Sequence, residues 1–260
     1  GLPRRVDSLR FQGQEFGLTA CFFKLFAKTA RTMIRAGFLL ATLGLTLVTP
    51  LRAAEPIDLF GRSAETFHQQ WQERGFPLIA ATDYDVTDGS NGVVVTGRAQ
   101  DGNRALARPI GVEAPTEVTL SWSWRVRSKL TGEVDERTKA GDDFAARVFV
   151  VFETSVIPTR TRAINYVWSA REPVGAVFPS PYTGRVAHIV LRNAKASHDP
   201  AAWMVESRDV LADYRAFFGE SPTVVTAVAI MVDTDNTDGY AEADFQDLIL
   251  EINPAVEDSG

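Results

Sequence analysis

The chain has 260 residues, of which 27 are Lys or Arg and 33 are Asp or Glu, and 45% of its residues are hydrophobic. This composition is that of an ordinary globular protein and excludes a disordered or low-complexity chain. The single cysteine excludes a disulfide framework and a structural zinc site built on thiolates. A net charge of −6 argues against nucleic-acid binding, because phosphate recognition requires clustered Lys and Arg side chains.

The first 54 residues differ in charge from the rest of the chain. They contain eight basic and two acidic residues, so the acidic excess lies in residues 55–260. Residues 36–51 are uncharged and largely apolar. As a helix this stretch would reach only ~24 Å, which is short of the roughly 30 Å hydrocarbon core of a bilayer. The sequence therefore predicts no transmembrane span.

The flanks of this apolar stretch indicate its role. Arg35 supplies a positive charge before it, and the small residues Ala53 and Ala54 follow it. This arrangement is typical of a secretory signal peptide. We therefore expect an upstream segment at residues 1–32, a signal peptide at residues 33–54 that is cleaved after Ala53 or Ala54, and a mature protein that is periplasmic or secreted.

From residue 78 onward, apolar and polar residues alternate with a period of two, which is typical of strands with one buried face. Residues 117–127 are the clearest case, and they place Trp122 and Trp124 on the apolar face. Residues 144–152 are apolar on both faces apart from Arg147, as expected of a central strand. The other predicted strands are residues 92–98, 104–110, 163–169, 186–192, 223–232 and 241–252.

Two segments have helical patterns instead. Residues 63–74 predict a short helix, and residues 208–218 predict a second one that is capped by Ser207 and ended by Gly219. Many short strands with one or two short helices predict an all-β fold, a mainly antiparallel β-sandwich or jelly roll.

A chain of this length buries its apolar surface in one core, so a single domain is expected. We place this domain at residues 65–254. A tail at residues 55–64 precedes it, and a C-terminal tail at residues 255–260 follows it.

Several segments of this domain occur together in a known family. They are WSW at residues 122–124, GDDFAARV at 141–148, NYVW at 165–168, ESRDV at 206–210 and DTDNT at 233–237. In order and spacing they resemble the secreted bacterial family called Domain of Unknown Function 3047, over residues 65–252. The resemblance implies a sandwich similar to galactose-binding-like carbohydrate modules, and it implies no activity, substrate or catalytic residue.

The densest group of oxygen ligands follows residue 232. Asp233, Asp235 and Asp238 occur in one short run, and Asp244 lies at the distance of the last ligand of an EF-hand loop. The sixth place of such a loop needs glycine, but here Gly239 comes one residue late. Two interpretations remain open: a calcium site at these four aspartates, or a connecting turn whose side chains bond their own backbone. No other cofactor is predicted.

Asp143 and Arg147 fall on one face of the predicted central strand. They are about 13 Å apart along it, which is too far for a mutual salt bridge. Arg147 therefore needs another partner, and the candidates are Asp244, Asp247, Glu206 and Asp209. The arginine forms either a buried structural ion pair or a ligand-facing guanidinium in a groove.

Three carboxylates gather near the second predicted helix. Glu206, Asp209 and Asp213 offer the paired acids that a glycosidase needs, and Asp209 and Asp213 share a helix face. The alternative is that they are ordinary carboxylates at a helix N-terminus.

Tyr182 and Trp203 lie in loop-like surroundings, where stacking on a sugar ring is more plausible than in a buried strand. The candidate ligand-binding residues are Asp143, Arg147, Tyr182, Trp203, Glu206 and Asp209. The leading functional hypothesis is a non-catalytic binding module for a carbohydrate, a cell-envelope glycan or another small molecule. The alternatives are a hydrolase of envelope polysaccharide that uses Glu206, Asp209 and Asp213, and a protein-interaction scaffold.

Overall fold

The computed structural model describes residues 55–75, 79–113, 117–128, 130, 133–153, 161–194 and 199–253. These residues form thirteen strands and two α-helices. The predicted upstream segment, signal peptide, cleavage site and C-terminal tail lie outside the described residues.

The strands form two sheets. Sheet A contains β1 (Ile57–Asp58), β3 (Asp83–Gly89), β4 (Gly92–Gln100), β6 (Glu117–Ser128), β11 (Met204–Asp209) and β13 (Tyr240–Asn253). Its order is β11-β6-β13-β4-β3, and β1 also pairs with β13.

Sheet B contains β2 (Gln72–Gly75), β5 (Asn103–Glu113), β7 (Ala146–Glu153), β8 (Arg162–Ser169), β9 (Val177–Ser180), β10 (Thr183–Asn193) and β12 (Val224–Asp233). Its order is β2-β5-β12-β7-β8-β10-β9. All the pairs between these strands are antiparallel except β8 with β10. The prediction of a mainly antiparallel, all-β sandwich is confirmed.

The main core lies between the inner faces of the two sheets. Trp122 and Trp124 are 1% and 0% exposed, and the rings of Tyr166 and Trp168 from sheet B lie 5.2 and 5.7 Å from them, centroid to centroid. The predicted burial of both indoles is therefore confirmed. The two-residue period that puts these rings inside also sends every second side chain to an outer face.

The outer face of sheet B is itself largely apolar and buried. Small side chains such as Ala107, Ala229 and Ala163 line its middle. Polar side chains occur toward one end of this face, where Arg147, Asp233 and the residues around them lie. This end positions the first candidate site.

The N-terminal part of the described chain belongs to the sandwich. Residues 55–64 were expected to form a tail, but Ile57 pairs with Leu250 of the last strand, and Leu59 and Phe60 are 0% and 2% exposed. Leu59 and Phe60 pack with Phe67 and Trp71, which anchors the segment to the core.

The helices are shorter than predicted. Helix α1 spans Ala64–Gln70 and is followed directly by β2, and helix α2 spans Val210–Phe218. The cap of α2 is Asp209 rather than Ser207, because strand β11 runs to Asp209 and the helix begins only at Val210. Asp209 accepts hydrogen bonds from the backbone N–H groups of Leu211 and Ala212, which are otherwise unpaired in the first turn.

None of the helices in the described part of the chain has the length and hydropathy needed to cross a membrane.

Candidate functional site

Four aspartates and one arginine meet at one end of the outer face of sheet B. Asp142 and Asp143 come just before β7, Asp233 ends β12, and Asp235 lies in the turn that follows. Arg147 of β7 lies opposite Met231 of β12, so the outward side chains at the ends of these strands face the same region. We call this group, Asp142, Asp143, Asp233, Asp235 and Arg147, the acidic cluster.

Arg147 is held mainly by Asp233. Its Nε and Nη2 atoms donate to the two oxygens of Asp233, each at 2.7 Å, and Nη2 also donates to the backbone oxygen of Asp142. The guanidinium carbon lies 4.5 Å from the centroid of the Phe144 ring. The partners named from the sequence were wrong, because Asp244, Asp247, Glu206 and Asp209 all lie in sheet A or at the start of α2.

Asp143 holds the turn that carries Asp235. Its carboxylate accepts hydrogen bonds from the backbone N–H groups of Asn236, at 3.1 Å, and Thr237, at 2.8 Å. It also accepts one from the Thr237 hydroxyl, at 2.7 Å. The Asn236 side-chain amide donates a further bond at 3.0 Å. This interaction joins the segment before β7 to the turn after β12.

Asp235 is half-buried and is the most exposed member of the cluster. Its Oδ1 accepts a hydrogen bond of 2.9 Å from Nδ2 of Asn103, the first residue of β5. Asn103 is 9% exposed, and its own side-chain oxygen accepts no hydrogen bond from the described residues. One oxygen from each of Asp143, Asp233 and Asp235 lies within 4.8 Å of the others.

Asp142 links the cluster to a buried polar pair on β8 and β10. Its Oδ1 lies 3.3 Å from Nε2 of His188, and Nδ1 of His188 lies 2.8 Å from Nδ2 of Asn165. His188 and Asn165 are 1% and 0% exposed. Burial opposes ionisation of Asp142, but the charges of Arg147 and His188 outweigh it and lower the pKa of this carboxyl.

Two carboxyls of the cluster, those of Asp233 and Asp235, have pKa values shifted in the opposite direction. Burial raises the pKa of Asp233 well above its usual range, and the neighbouring carboxylates add to this effect although Arg147 opposes it. Burial also raises the pKa of Asp235, and the charge of Asp143 contributes. The cluster therefore holds more negative charge than Arg147 alone balances.

Tyr182 closes one side of the cluster. Its hydroxyl donates to Oδ1 of Asn236 at 2.7 Å, and Nζ of Lys139 lies 5.6 Å from the centroid of its ring. Burial raises the pKa of this phenol to about 12. Of the predicted ligand-binding residues, the structure therefore brings together Asp143, Arg147 and Tyr182.

Trp203 lies elsewhere, over the outer face of sheet A. The guanidinium of Arg125 is 4.4 Å from the centroid of its ring, and Nε of Arg125 donates to Asp244 at 2.6 Å. Asp244 is 0% exposed and also accepts from Arg127 at 2.7 Å. The structure therefore does not place Asp244 with Asp233. Asp238 is exposed, and its φ of 50° is left-handed.

The three carboxylates proposed for hydrolysis all have structural partners. Glu206 accepts from Nε of Arg192 at 2.5 Å and from the indole of Trp124 at 3.0 Å. Asp209 caps α2. Asp213 is bound by Arg208 and Tyr166.

Asp213 and Arg208 also line an open cleft, the second candidate site. We call it the outer cleft. It has a volume of about 400 Å³ and lies between α2 and the strands β9 and β10. Its other walls are mainly apolar, with Val177, Leu191 and Phe217 among them.

Sequence reasoning missed several of these residues. Asn103 lies at the start of β5, 130 residues before Asp233, so no local spacing points to it. A lone His188 in an apolar strand indicates a buried polar contact. Its partner Asn165 could not be identified from the sequence, because the contact requires the parallel pairing of β8 and β10. Phe217 was also missed, although it follows the named candidate Asp213 by four residues on α2, which is the spacing of one helix face.

The fold and these two sites define an all-β sandwich with a buried acidic cluster on one outer face and an open, mainly apolar cleft beside a short helix. The chain belongs to the family described as Protein of unknown function (DUF3047), whose model matches residues 69–249. No curated protein matches this chain.

Several solved structures have a related arrangement. The xyloglucanase domain of NopAA from Sinorhizobium fredii is 12% identical, with a TM-score of 0.42, and the match covers 70% of this chain and 94% of that one. The family 11 carbohydrate-binding module of a Clostridium thermocellum cellulase is 9% identical, with a TM-score of 0.38, over 74% and 91% of the two chains. The cellulose induced protein Cip1 is 8% identical, with a TM-score of 0.42, over 72% and 94%. At these scores the similarities assign no function to this chain.

Proposed function

We propose that the protein is a non-catalytic binding module, periplasmic or secreted, whose ligand is a carbohydrate or a cell-envelope glycan. The observation that carries this proposal is the outer cleft, with its volume of about 400 Å³. Ligand sites are typically clefts of about 300–1,000 Å³ with mainly apolar walls and a few convergent polar groups.

The lining of the outer cleft suits a sugar. A sugar ring has an apolar C–H face and an edge of hydroxyl groups that both donate and accept hydrogen bonds. Val177 and Phe217 offer the ring an apolar wall. Arg208 offers donors and Asp213 offers an acceptor beside it, with Nη2 of Arg208 2.5 Å from Oδ1 of Asp213.

The ion pair of the cleft is fixed before any ligand arrives. Oδ2 of Asp213 accepts from the buried Tyr166 hydroxyl at 2.7 Å and from Nε of Arg208 at 2.9 Å. Because these bonds set the position of the carboxylate, a ligand would not have to order it. Export of the protein rests on the signal-like pattern of residues 33–54.

The test is a glycan array followed by calorimetry on the ligands that bind, with and without calcium. In the variant Val177→Trp, the indole on the edge strand β9 fills the outer cleft. We expect the affinity for the glycan to fall by about tenfold or more. Val205→Trp is the matched control, because Val205 is 69% exposed on β11 and does not line the cleft. Absence of any glycan binding, or equal loss in the two variants, would contradict the proposal.

A further inference from the structure

We propose that Asp143, Asp233 and Asp235, with the side-chain oxygen of Asn103, form a binding site for a hard divalent cation of the calcium class. This site is separate from the outer cleft and does not depend on the proposed glycan binding.

The first argument is charge. In the described part of the chain, the acidic cluster places four carboxylates around the guanidinium of Arg147. With all of them ionised, these four negative charges outnumber the positive charges beside them, which are that of Arg147 and that of a protonated His188 next to Asp142. Asp143 and Asp233 are 1% and 2% exposed, so water screens this excess poorly. A bound cation would offset it without neutralising the carboxylates by protonation.

The second argument is an oxygen atom without a partner. Asn103 is 9% exposed, and its Oδ1 accepts no hydrogen bond from the residues that the structure describes. The amide head lies at the cluster, since its Nδ2 donates to Oδ1 of Asp235 at 2.9 Å. Its Oδ1 is bonded to the same carbon as Nδ2, so the unpartnered oxygen also lies near Asp235. A buried amide oxygen without a donor is costly, and a cation would satisfy it.

The third argument is geometry. One oxygen from each of Asp143, Asp233 and Asp235 lies within 4.8 Å of the other two. Two oxygens on opposite sides of a Ca²⁺ ion at about 2.4 Å are about 4.8 Å apart, so three such atoms fit around one ion. The donors are all oxygen, which favours calcium or magnesium over zinc.

The structure also separates this site from the one that the sequence suggested. Asp238 points to solvent from a left-handed backbone position with φ of 50°, and Asp244 is paired with arginines in the other sheet. The cation ligands therefore come from three segments of the chain: the start of β5, the segment before β7 and the turn after β12.

The test uses the purified protein stripped with EDTA and titrated with CaCl₂ or MgCl₂ up to about 10 mM, well above the Kd of about 1 mM at the weak end of calcium modules. We expect calorimetry to show one Ca²⁺ site, and the unfolding midpoint to rise with its occupancy. Asp235→Asn should weaken Ca²⁺ binding by about tenfold or more, since it removes the charge of a half-buried ligand at little cost to the fold.

Asp238→Asn is the matched control, because asparagine tolerates the left-handed position. It should bind Ca²⁺ as the unsubstituted protein does. If Asp235→Asn does not fold, Asn103→Ala is used in its place with the same expected loss. The proposal is overturned if the unsubstituted protein shows no Ca²⁺ response, or if Asp238→Asn weakens binding as much as Asp235→Asn.

Discussion

Asp233 and Asp244 are eleven residues apart in the sequence, yet they lie on the outer faces of opposite sheets. Both are almost completely buried, at 2% and 0% exposure. Asp233 shares the guanidinium of Arg147 with other carboxylates, whereas Asp244 accepts from two guanidiniums, those of Arg125 and Arg127. One site has an excess of negative charge and the other an excess of positive charge.

This difference determines what each site requires. The positive excess around Asp244 reaches water, because the side chains of Arg125 and Arg127 are 19% and 43% exposed. The negative excess around Asp233 is buried, with the Arg147 side chain only 6% exposed. Solvent balances the first site, and the second needs a proton or a bound cation. Under the proposal above, the number of buried partners of each carboxylate, rather than the number of acidic residues in a loop, indicates where a cation would bind.

The largest expected effect comes from removing the guanidinium of the acidic cluster. Arg147→Met leaves the carboxylates of Asp142 and Asp233 without their shared partner, and should reduce the free energy of unfolding by about 3–5 kcal/mol. Urea unfolding in the absence of divalent cations measures this loss in the free energy of unfolding. Arg62→Met, at an exposed position, is the control and should change stability by no more than about 0.5 kcal/mol. A similar result for both variants would show that the cluster is not electrostatically coupled to Arg147.

A smaller effect is expected on the opposite face. Asp244→Asn leaves Arg125 without its carboxylate and Arg127 with only the 4.0 Å contact to Glu242. Both guanidiniums can turn toward water, so the loss should be about 1–3 kcal/mol. The loss should be the same with and without calcium, as measured by urea unfolding in each condition. Glu242→Gln, on the same strand and 19% exposed, should cost less. A calcium-dependent loss for Asp244→Asn would return this residue to the cation site.

The fold was predictable because its signals are local. A two-residue period identified the long strands, and strict alternation at residues 117–127 correctly placed Trp122 and Trp124 inside. Five strands at the borders of the sheets were missed, since they bury too few side chains to produce a pattern: β1, β2, β3, β9 and β11. Strand β11 also explains the wrong helix cap, because residues 207 and 208 continue a strand up to the first turn of α2.

The sites were predictable only in part, because they depend on strand order. Asp143, Arg147, Asp233 and Asp235 were named as candidates from local sequence, but nothing local shows that β7 pairs with β12 and so brings them together. The same local spacing grouped Asp244 with Asp233, although β12 and β13 belong to different sheets. A turn between strands can lead to the neighbouring strand or across the sandwich, and composition does not distinguish the two.

The partly buried carboxylate of Asp213 provides a case with balanced charges, and the smallest expected effect. Asp213 is paired with one guanidinium, that of Arg208, and with the neutral phenol of Tyr166, which is 0% exposed. Tyr166→Phe removes one hydrogen bond and leaves the charges balanced, so it should cost about 1 kcal/mol at pH 7. Urea unfolding of both proteins measures this difference.

The pH dependence of that difference tests the balance further. Burial raises the pKa of Tyr166 well above its usual value of 10, and the charge of Asp213 adds to this. Above pH 10 the unfolded chain loses this proton while the folded chain keeps it, so stability falls as pH rises, by about 1.4 kcal/mol per pH unit for this group. The phenylalanine variant lacks this contribution, and its deficit should shrink and then reverse above pH 10. Parallel pH profiles for the two proteins would mean that the phenol ionises in the folded state as easily as in water, and that Tyr166 is not shielded from solvent.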